Sequence, residues 1–163
     1  MRSMTNPPVT ISAATEADLP HILRFIQGLA EYEKLACVAT EESLRKTLFG
    51  QRAYADVLIA HLADLPVGFA LFFHNYSTFL ARPGIYLEDL FVLPEYRGRG
   101  AGRALLKRIA QIARERDCGR LEWSVLDWNE PAIEFYKRLG ADVLPDWRFC
   151  RMTGQQITAL AEM

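Results

Sequence analysis

Six stretches of the chain are rich in β-branched and aromatic residues and are bounded by turn residues, which is the pattern of β-strands. They are residues 9–13, 54–62, 67–73, 85–93, 121–126 and 147–152. Residues 63–66 separate two of these runs and predict a hairpin turn. Residues 74–84 are too polar and irregular for a strand, and we predict a loop there.

Apolar positions with a period of 3.6 predict helices between these stretches. One helix begins after the capping residue Thr15, a second covers 40–50 and a third runs from Gly102 to about residue 117. A fourth covers 129–140, with a proline in its first turn and a glycine at its end. The spacing of a capping box at 153–156 predicts a short terminal helix.

The order of these elements indicates a mixed α/β domain with a partly antiparallel sheet, because a doubly wound domain would alternate strands and helices strictly. A length of 163 residues suits one domain. We place a single domain at residues 9–163 and expect residues 1–8 to be disordered or a remnant of cloning.

Composition narrows the classes of function. Half of the residues are hydrophobic and 24% are charged, which is typical of a globular protein, and the formal net charge is −1. No basic field is available to attract nucleic acid. No run approaches the length of about 20 apolar residues that spans a membrane, and Met1 to Pro8 lacks the apolar region of an export signal. We therefore expect a cytoplasmic protein with no nucleic-acid or membrane partner.

Cysteine and histidine positions predict neither disulfides nor a metal site. The three cysteines are widely spaced, and the three histidines form no ligand pattern with them. Scattered cysteines are more often buried small hydrophobes than nucleophiles, and they fit a reducing compartment. These residues are Cys37, Cys118, Cys150, His21, His61 and His74.

Three alternate glycines, Gly98, Gly100 and Gly102, lie between the strand at 85–93 and the third helix. Glycines let backbone N–H groups approach a ligand, and a helix N-terminus favours an anion such as a pyrophosphate. A flexible surface turn is the alternative. A dinucleotide fingerprint would need a glycine where Arg103 stands, and a Walker loop would need lysine followed by serine or threonine.

The turn Arg97-Gly98-Arg99-Gly100-Ala101-Gly102 resembles the core motif of the GCN5-related N-acetyltransferases (GNAT), which reads Arg/Gln-x-x-Gly-x-Gly/Ala. The segments YLEDLFV, starting at Tyr86, and VLDWNEPAIEFY, starting at Val125, are similar to the diamine (spermidine/spermine) and thialysine branch. The resemblance covers nearly the whole chain from Val9. It implies an α/β GNAT acyl-CoA N-acyltransferase fold, with a mixed, mostly antiparallel sheet splayed at the acetyl-CoA site and flanked by helices.

The same resemblance implies acetyl-CoA as co-substrate and a homodimer. Main-chain atoms of Phe91 and Val92 would hold the pantetheine arm, and Asn129 and Tyr136 would also contact the cofactor. The pyrophosphate would lie on the turn formed by Arg97, Gly98, Arg99, Gly100, Ala101, Gly102 and Arg103.

Acetyl transfer to an amine needs a base for the ammonium proton and an acid for the departing thiolate. The resemblance makes Tyr136 the acid, and its reference pKa of about 10 suits donation to a thiolate whose conjugate acid has a pKa of about 8.5. A core tyrosine is the alternative. The resemblance also makes Glu88 the base, acting through water. Direct proton transfer from an ammonium to a carboxylate would be uphill by about 8 kcal/mol.

Strict alternation would place Glu88 with Tyr86 and Leu90 on one face of the strand, and Asp89 with Leu87 on the other. Adjacent acids inside a strand are costly if they are buried unpaired, so we expect a purpose or a cationic partner. A structural ion pair is the alternative to a catalytic role.

Several residues could bind a cationic acceptor, although solvated acids and packed aromatic rings are common alternatives. Arg82 could pair with an acceptor carboxylate, although an exposed loop charge is the simpler account. The acceptor candidates are Glu31, Tyr32, Glu33, Glu88, Asp89, Asp127 and Trp128.

We therefore predict an N-acetyltransferase that acetylates a primary amine of a small molecule by direct attack in a ternary complex. The acceptor would be a diamine, a polyamine or a lysine-like amino acid such as thialysine. The alternatives are a protein or peptide N-acetyltransferase and a non-catalytic acyl-CoA-binding module. The segment 74–84 is of the kind that changes specificity.

Overall fold

The computed structural model describes residues 7–163. The expected disordered or cloning-derived segment, residues 1–8, therefore lies mostly outside the described residues. The chain divides into two compact units, which meet in sequence between Ser124 and Val125, and each is described by itself. The single domain expected over 9–163 stays a prediction.

The first unit contains a five-stranded sheet, three helices and two short 3-10 turns. The strands are β1 (Val9–Ala13), β2 (Asp56–Leu62), β3 (Leu65–Ser77), β4 (Arg82–Val92) and β5 (Arg120–Trp123). The helices are α1 (Leu19–Glu33), α2 (Glu41–Leu48) and α3 (Ala101–Glu115), and the turns are Glu16–Asp18 and Pro94–Tyr96. The strand order is β1-β2-β3-β4-β5; the first four strands are antiparallel and β5 is parallel to β4.

Both faces of this sheet are covered. On one face, α1 and α2 pack against the odd-numbered positions of β2 and β3, where Phe25 and Phe69 stack with ring centroids 5.6 Å apart. The alternate positions of these strands, such as Leu58 and Phe72, are buried on the other face, where α3 packs across the sheet. The predicted mixed α/β fold with a mostly antiparallel sheet is confirmed.

The prediction of a loop at 74–84 was wrong. β3 and β4 continue through most of it, and only residues 78–81 lie between them. Its polar side chains have partners across the strands: the Nδ1 atom of His74 lies 2.9 Å from the Gly84 carbonyl, and Asn75 donates to the Glu122 carboxylate at 2.9 Å. Polarity misled the prediction because the strands satisfy these groups by pairing.

The second unit contains α4 (Glu130–Arg138) and α5 (Gln155–Ala161). The predicted strand at 147–152 is wrong, because these residues form neither helix nor strand. Trp147 is 80% exposed and Phe149 71% exposed, so the aromatic pattern that suggested a strand is on the surface of the chain. The strand predicted at 121–126 is shorter and ends at Trp123.

Candidate active site

The glycine turn links β4 to α3 and leaves an open concave backbone. Gly98 has φ of 75° and Gly100, the residue that precedes α3, has φ of 87°, a conformation that other residues adopt only with strain. No heavy atom lies within 4 Å of a Cβ built at either glycine. The first N–H groups of α3 have no partner within the helix, so this turn offers donors and a positive dipole to an anion.

The arginines of the turn lie in different surroundings. The Nε atom of Arg97 donates to the Val92 carbonyl at 2.9 Å. The Arg99 guanidinium lies over the Tyr96 ring, 5.5 Å from its centroid, and Arg103 is exposed in the first turn of α3. The Arg97 side chain was expected to serve the pyrophosphate, and here it contacts β4.

Beside the turn, β5 leaves the end of one edge of β4 without a strand partner, and we call this stretch the uncovered edge of β4. Its pairing with β5 runs from Gly84 to Leu87 and stops there, although β4 continues to Val92. The strands therefore part after Leu87, which gives a sheet splayed on the side of the glycine turn. Near the last paired residues, the hydroxyls of Tyr86 and Ser124 lie 2.7 Å apart.

The register of β4 decides which main-chain groups face this edge. The Leu93 N–H donates to the Val67 carbonyl at 2.9 Å. In an antiparallel ladder the outward groups alternate, so Phe91 turns its N–H and C=O toward β3, and Leu90 and Val92 turn theirs outward. The register therefore places the outward main-chain groups of Leu90 and Val92 on this edge, whereas those of Phe91 pair with β3. The contacts expected between the pantetheine arm and the main chains of Phe91 and Val92 stay a prediction.

A bulge changes the faces of the acidic pair. Leu87 pairs with Phe72 and Asp89 pairs with Leu71, so Glu88 is an extra residue without a partner on β3. Asp89 therefore shares the α1 face with Phe91, whereas Leu87 faces the other side. The strict alternation predicted for this strand, with Leu87 beside Asp89, was wrong. Glu88 is exposed at the point where β4 and β5 part.

The acids of β4 and the end of α1 form a cluster. Burial, and after it the negative charges of Glu88 and Glu33, raise the pKa of Asp89 to about 6. Burial also raises the pKa of Glu33, while Glu31 and Tyr32 are exposed on the same last turn of α1. Within residues 7–163, no ion pair includes Glu33, Glu88 or Asp89. The structural ion pair considered for Glu88 and Asp89 is therefore not formed with any described cation.

The raised pKa of Asp89 predicts a stability that depends on pH. The folded chain binds this proton more tightly than the unfolded chain, whose ordinary value is 3.8, so stability is lost as pH rises from about 4 through about 6. Without acceptor, Asp89→Asn should unfold at higher urea than wild type at pH 8, by up to about 3 kcal/mol, and the difference should vanish near pH 4. The exposed carboxyl of Asp64 gives the control D64N, and a D89N effect that is equal at both pH values would contradict the prediction.

The remaining candidates lie in the second unit. The Asn129 side chain accepts the Ala132 N–H at 3.4 Å and so caps α4. Tyr136 lies on that helix and is half-buried, with its ring centroid 5.5 Å from that of Phe135. Asp127 and Trp128 are exposed just before the helix.

Arg82 is placed away from the acidic cluster. Its guanidinium pairs with Asp117 at 3.5 Å. Glu88 is six positions after Arg82 on β4, a distance of about 20 Å along a strand. The segment 74–84, which was expected to influence specificity, therefore surrounds the end of β4 opposite to the glycine turn.

Comparisons with known proteins agree with this geometry. The sequence profile of the acetyltransferase (GNAT) family matches residues 26–141. The chain is 40% identical to the thialysine N-epsilon-acetyltransferase of Bos taurus, and the alignment covers 94% of this chain and 97% of that protein. It is 34% identical to the L-ornithine N5-acetyltransferase NATA1 of Arabidopsis thaliana, over 94% of this chain and 88% of that protein.

Among solved structures, an integron cassette protein from the mobile metagenome of V. cholerae has a TM-score of 0.80 and 29% sequence identity, and the match covers 95% of this chain and 98% of that one. The family profile spans more than half of the chain, and the two relatives align with nearly all of it. The chain therefore belongs to the GNAT family of acetyltransferases, and it is an N-acetyltransferase.

Proposed function

We propose that this enzyme acetylates the primary amine of a small, cationic molecule. The observation that carries the proposal is the acidic cluster of Glu33, Glu88 and Asp89, which has no cationic partner among the described residues. Partly buried carboxylates repel one another, and an ammonium group placed between them would relieve that repulsion. The ammonium group of the acceptor would then supply the positive charge that the acidic cluster lacks.

Acetyl-CoA is the proposed co-substrate. The open backbone of the glycine turn and the N-terminus of α3 suit its pyrophosphate. The amides of its pantetheine arm could pair with the outward N–H and C=O groups of Leu90 and with the N–H of Val92. The arm would then extend the sheet beyond Leu87, where β5 no longer pairs with β4. The thioester would then lie along the same edge that carries Glu88, two residues earlier on β4.

Glu88 is the proposed base, and its exposure fits a role through water. One proton must leave the ammonium before its nitrogen can attack the thioester carbonyl, and a direct transfer to an ordinary carboxylate is uphill by about 8 kcal/mol. Glu88 would accept that proton by way of a water molecule, while Asp89 and Glu33 hold the acceptor by charge. Desolvation of the amine would lower its pKa and so oppose the rise that the neighbouring carboxylates cause.

Tyr136 is the proposed acid. Formation of the amide bond breaks the bond between the carbonyl carbon and sulfur, and the sulfur leaves as a thiolate that needs a proton. The phenol of Tyr136 would donate it, and the phenolate would recover a proton from solvent. Asn129, which caps the same helix, would also contact the cofactor.

For the acceptor we propose the terminal side-chain amine of a lysine-like or ornithine-like amino acid, with diamines and polyamines as related candidates. The names of the two similar enzymes, one for thialysine and one for ornithine, support the amino acids. The exposed Tyr32, Asp127 and Trp128 are candidate contacts for the rest of the acceptor.

The test is release of free CoA from acetyl-CoA with a panel of separate acceptors: thialysine, lysine, ornithine, putrescine, spermidine and short peptides. The proposal predicts kcat/KM values for at least one free amine that exceed those for every peptide. Activity on peptides alone would instead assign a peptide N-acetyltransferase. Acetyl-CoA binding with no turnover on any acceptor would assign an acyl-CoA-binding module.

We also propose a cytoplasmic homodimer. Several large apolar side chains are exposed in the second unit, and in the proposed dimer they would pack against a second copy of the chain. These side chains are Leu144, Trp147, Phe149, Met152, Ile157 and Leu160. Within the described residues, no helix is both long and apolar enough to cross a membrane. Sedimentation equilibrium should give twice the chain mass of 18.5 kDa, and a monomer at micromolar concentration would contradict the proposal.

A further inference from the structure

The side chain of Arg97 joins three parts of the first unit. Its Nε atom donates to the Val92 carbonyl at 2.9 Å. Its guanidinium carbon lies 5.3 Å from the ring centroid of Tyr32 and 5.4 Å from that of Phe91. One residue of the glycine turn thus contacts the end of β4 and the last turn of α1.

The Val92 carbonyl is an outward group of the uncovered edge of β4. Left alone, it would be an unpaired acceptor beside the Val92 N–H that the proposed pantetheine contact uses. The hydrogen bond from Arg97 satisfies this carbonyl and holds the peptide plane between Val92 and Leu93. Because the donor is a charged group, this bond is stronger than a bond between neutral groups.

The contact with Tyr32 reaches the acidic end of α1. Tyr32 lies between Glu31 and Glu33, so the position of its ring and the position of the Glu33 carboxylate depend on the same helical turn. The helix also approaches β4 closely at Gly28, where an added Cβ would lie 2.8 Å from the Phe91 ring. Phe91 is therefore enclosed by α1 and the Arg97 guanidinium.

We propose that Arg97 is a positioning residue that sets the acidic end of α1 relative to the uncovered edge of β4. It would act on the acceptor through Tyr32 and on the thioester through the Val92 peptide, in addition to its charge beside the cofactor turn. The inference rests on the proposed function for the identity of the two substrates. The geometry that carries it lies wholly within the first unit.

Exchange of Arg97 for lysine separates the positioning role of the guanidinium from the effect of its positive charge. Lysine keeps the positive charge but lacks the planar guanidinium that stacks on aromatic rings while donating from Nε. R97K should lower kcat by about 10- to 100-fold and raise the KM of the acceptor, as expected when a charged hydrogen bond and a cation–π contact are lost together. If Arg97 acts only by its charge on the pyrophosphate, R97K will keep kcat and acceptor KM, and the proposal is overturned.

Arg52 offers a matched exchange outside the proposed site. Its guanidinium lies over the exposed ring of Tyr54, 5.0 Å from the ring centroid, so R52K also alters a cation–π contact but should change the KM of acetyl-CoA and of the acceptor by less than about threefold. Equal effects of R97K and R52K on acceptor KM would contradict a positioning role that is special to Arg97.

A double-mutant cycle with Tyr32→Leu tests the coupling. The combined loss in kcat/KM for R97K/Y32L should be smaller than the product of the two single losses by at least about threefold, and independent effects would contradict the proposal. The ¹³C carbonyl shift of Val92 should also change in R97K and stay unchanged in R52K. This shift requires no acceptor, so it tests the position of Arg97 even if no amine in the panel is acetylated.

Discussion

Replacing Tyr136 with phenylalanine should lower kcat by about 10²- to 10⁴-fold while acetyl-CoA still binds. The variant keeps the ring, so its packing beside Phe135 on α4 is preserved and the change removes the hydroxyl group that would supply the proton. Without that proton the sulfur must leave as a free thiolate, and the barrier to breaking the thioester rises. The measurement is single-turnover CoA release together with calorimetric binding of acetyl-CoA.

Tyr54 gives the matched control for this exchange, because its phenol is exposed and its ring contacts Arg52. Y54F should retain wild-type kcat. If Y136F also retains it, another group protonates the thiolate and the assignment of Tyr136 is wrong. If Y136F loses acetyl-CoA binding in proportion to kcat, its role is in binding the cofactor and not in proton transfer.

Replacing Glu88 with glutamine should lower kcat by about 100-fold at pH 7. Glutamine has nearly the same shape but accepts no proton, so only the neutral fraction of the amine can react. That fraction rises about 100-fold between pH 7 and pH 9 for an amine of pKa about 10, and the variant should therefore recover much of its activity over this range. Wild type should show a shallower dependence on pH.

Two further exchanges, E95Q and D89N, are compared with E88Q. Glu95 is an exposed acid in the 3-10 turn after β4, and E95Q should behave as wild type. D89N should raise the KM of the acceptor more than it lowers kcat, because Asp89 is proposed to hold the ammonium by charge. An E88Q variant with full activity at pH 7 would show that Glu88 is not the base.

Local sequence signals predicted the helices well. Thr40 accepts the Ser43 N–H at 3.1 Å and begins α2, and Gly100 adopts the positive φ that its place before α3 requires. Such signals are local, since a cap or a turn depends on a few adjacent residues. The glycine turn could therefore be placed from the sequence alone.

The errors concern features that depend on distant parts of the chain. His74 and Asn75 are polar, yet they lie in a strand because their partners come from β4 and β5. The bulge at Glu88 is a mismatch between two strands and cannot be read from either strand alone. One extra residue moved Leu87 to the opposite face from Asp89. The outward main-chain groups of Leu90 follow from the register fixed by the hydrogen bond between Leu93 and Val67, which also depends on the partner strand.

The same limit applies to the candidate site. Residue types identified Glu88, Asp89 and the turn as places where chemistry is concentrated, and the resemblance supplied their proposed roles. Leu90, which we propose as a main-chain ligand, was not predicted because a main-chain contact has no side-chain signature. The contact between Arg97 and Tyr32 was missed because these residues are distant in sequence, and only the packing of α1 on β4 brings them together.

The most direct test of the central claim is a competition experiment. Equal concentrations of thialysine, ornithine, spermidine and a lysine-containing peptide are incubated with the enzyme and acetyl-CoA, and the acetylated products are quantified by mass spectrometry at low conversion. At equal concentrations, competing substrates form products at rates proportional to their kcat/KM values, so one measurement ranks the acceptors. We predict a product acetylated on the terminal amine of a free small molecule, formed ahead of any acetylated peptide. An acetylated peptide as the main product would contradict it.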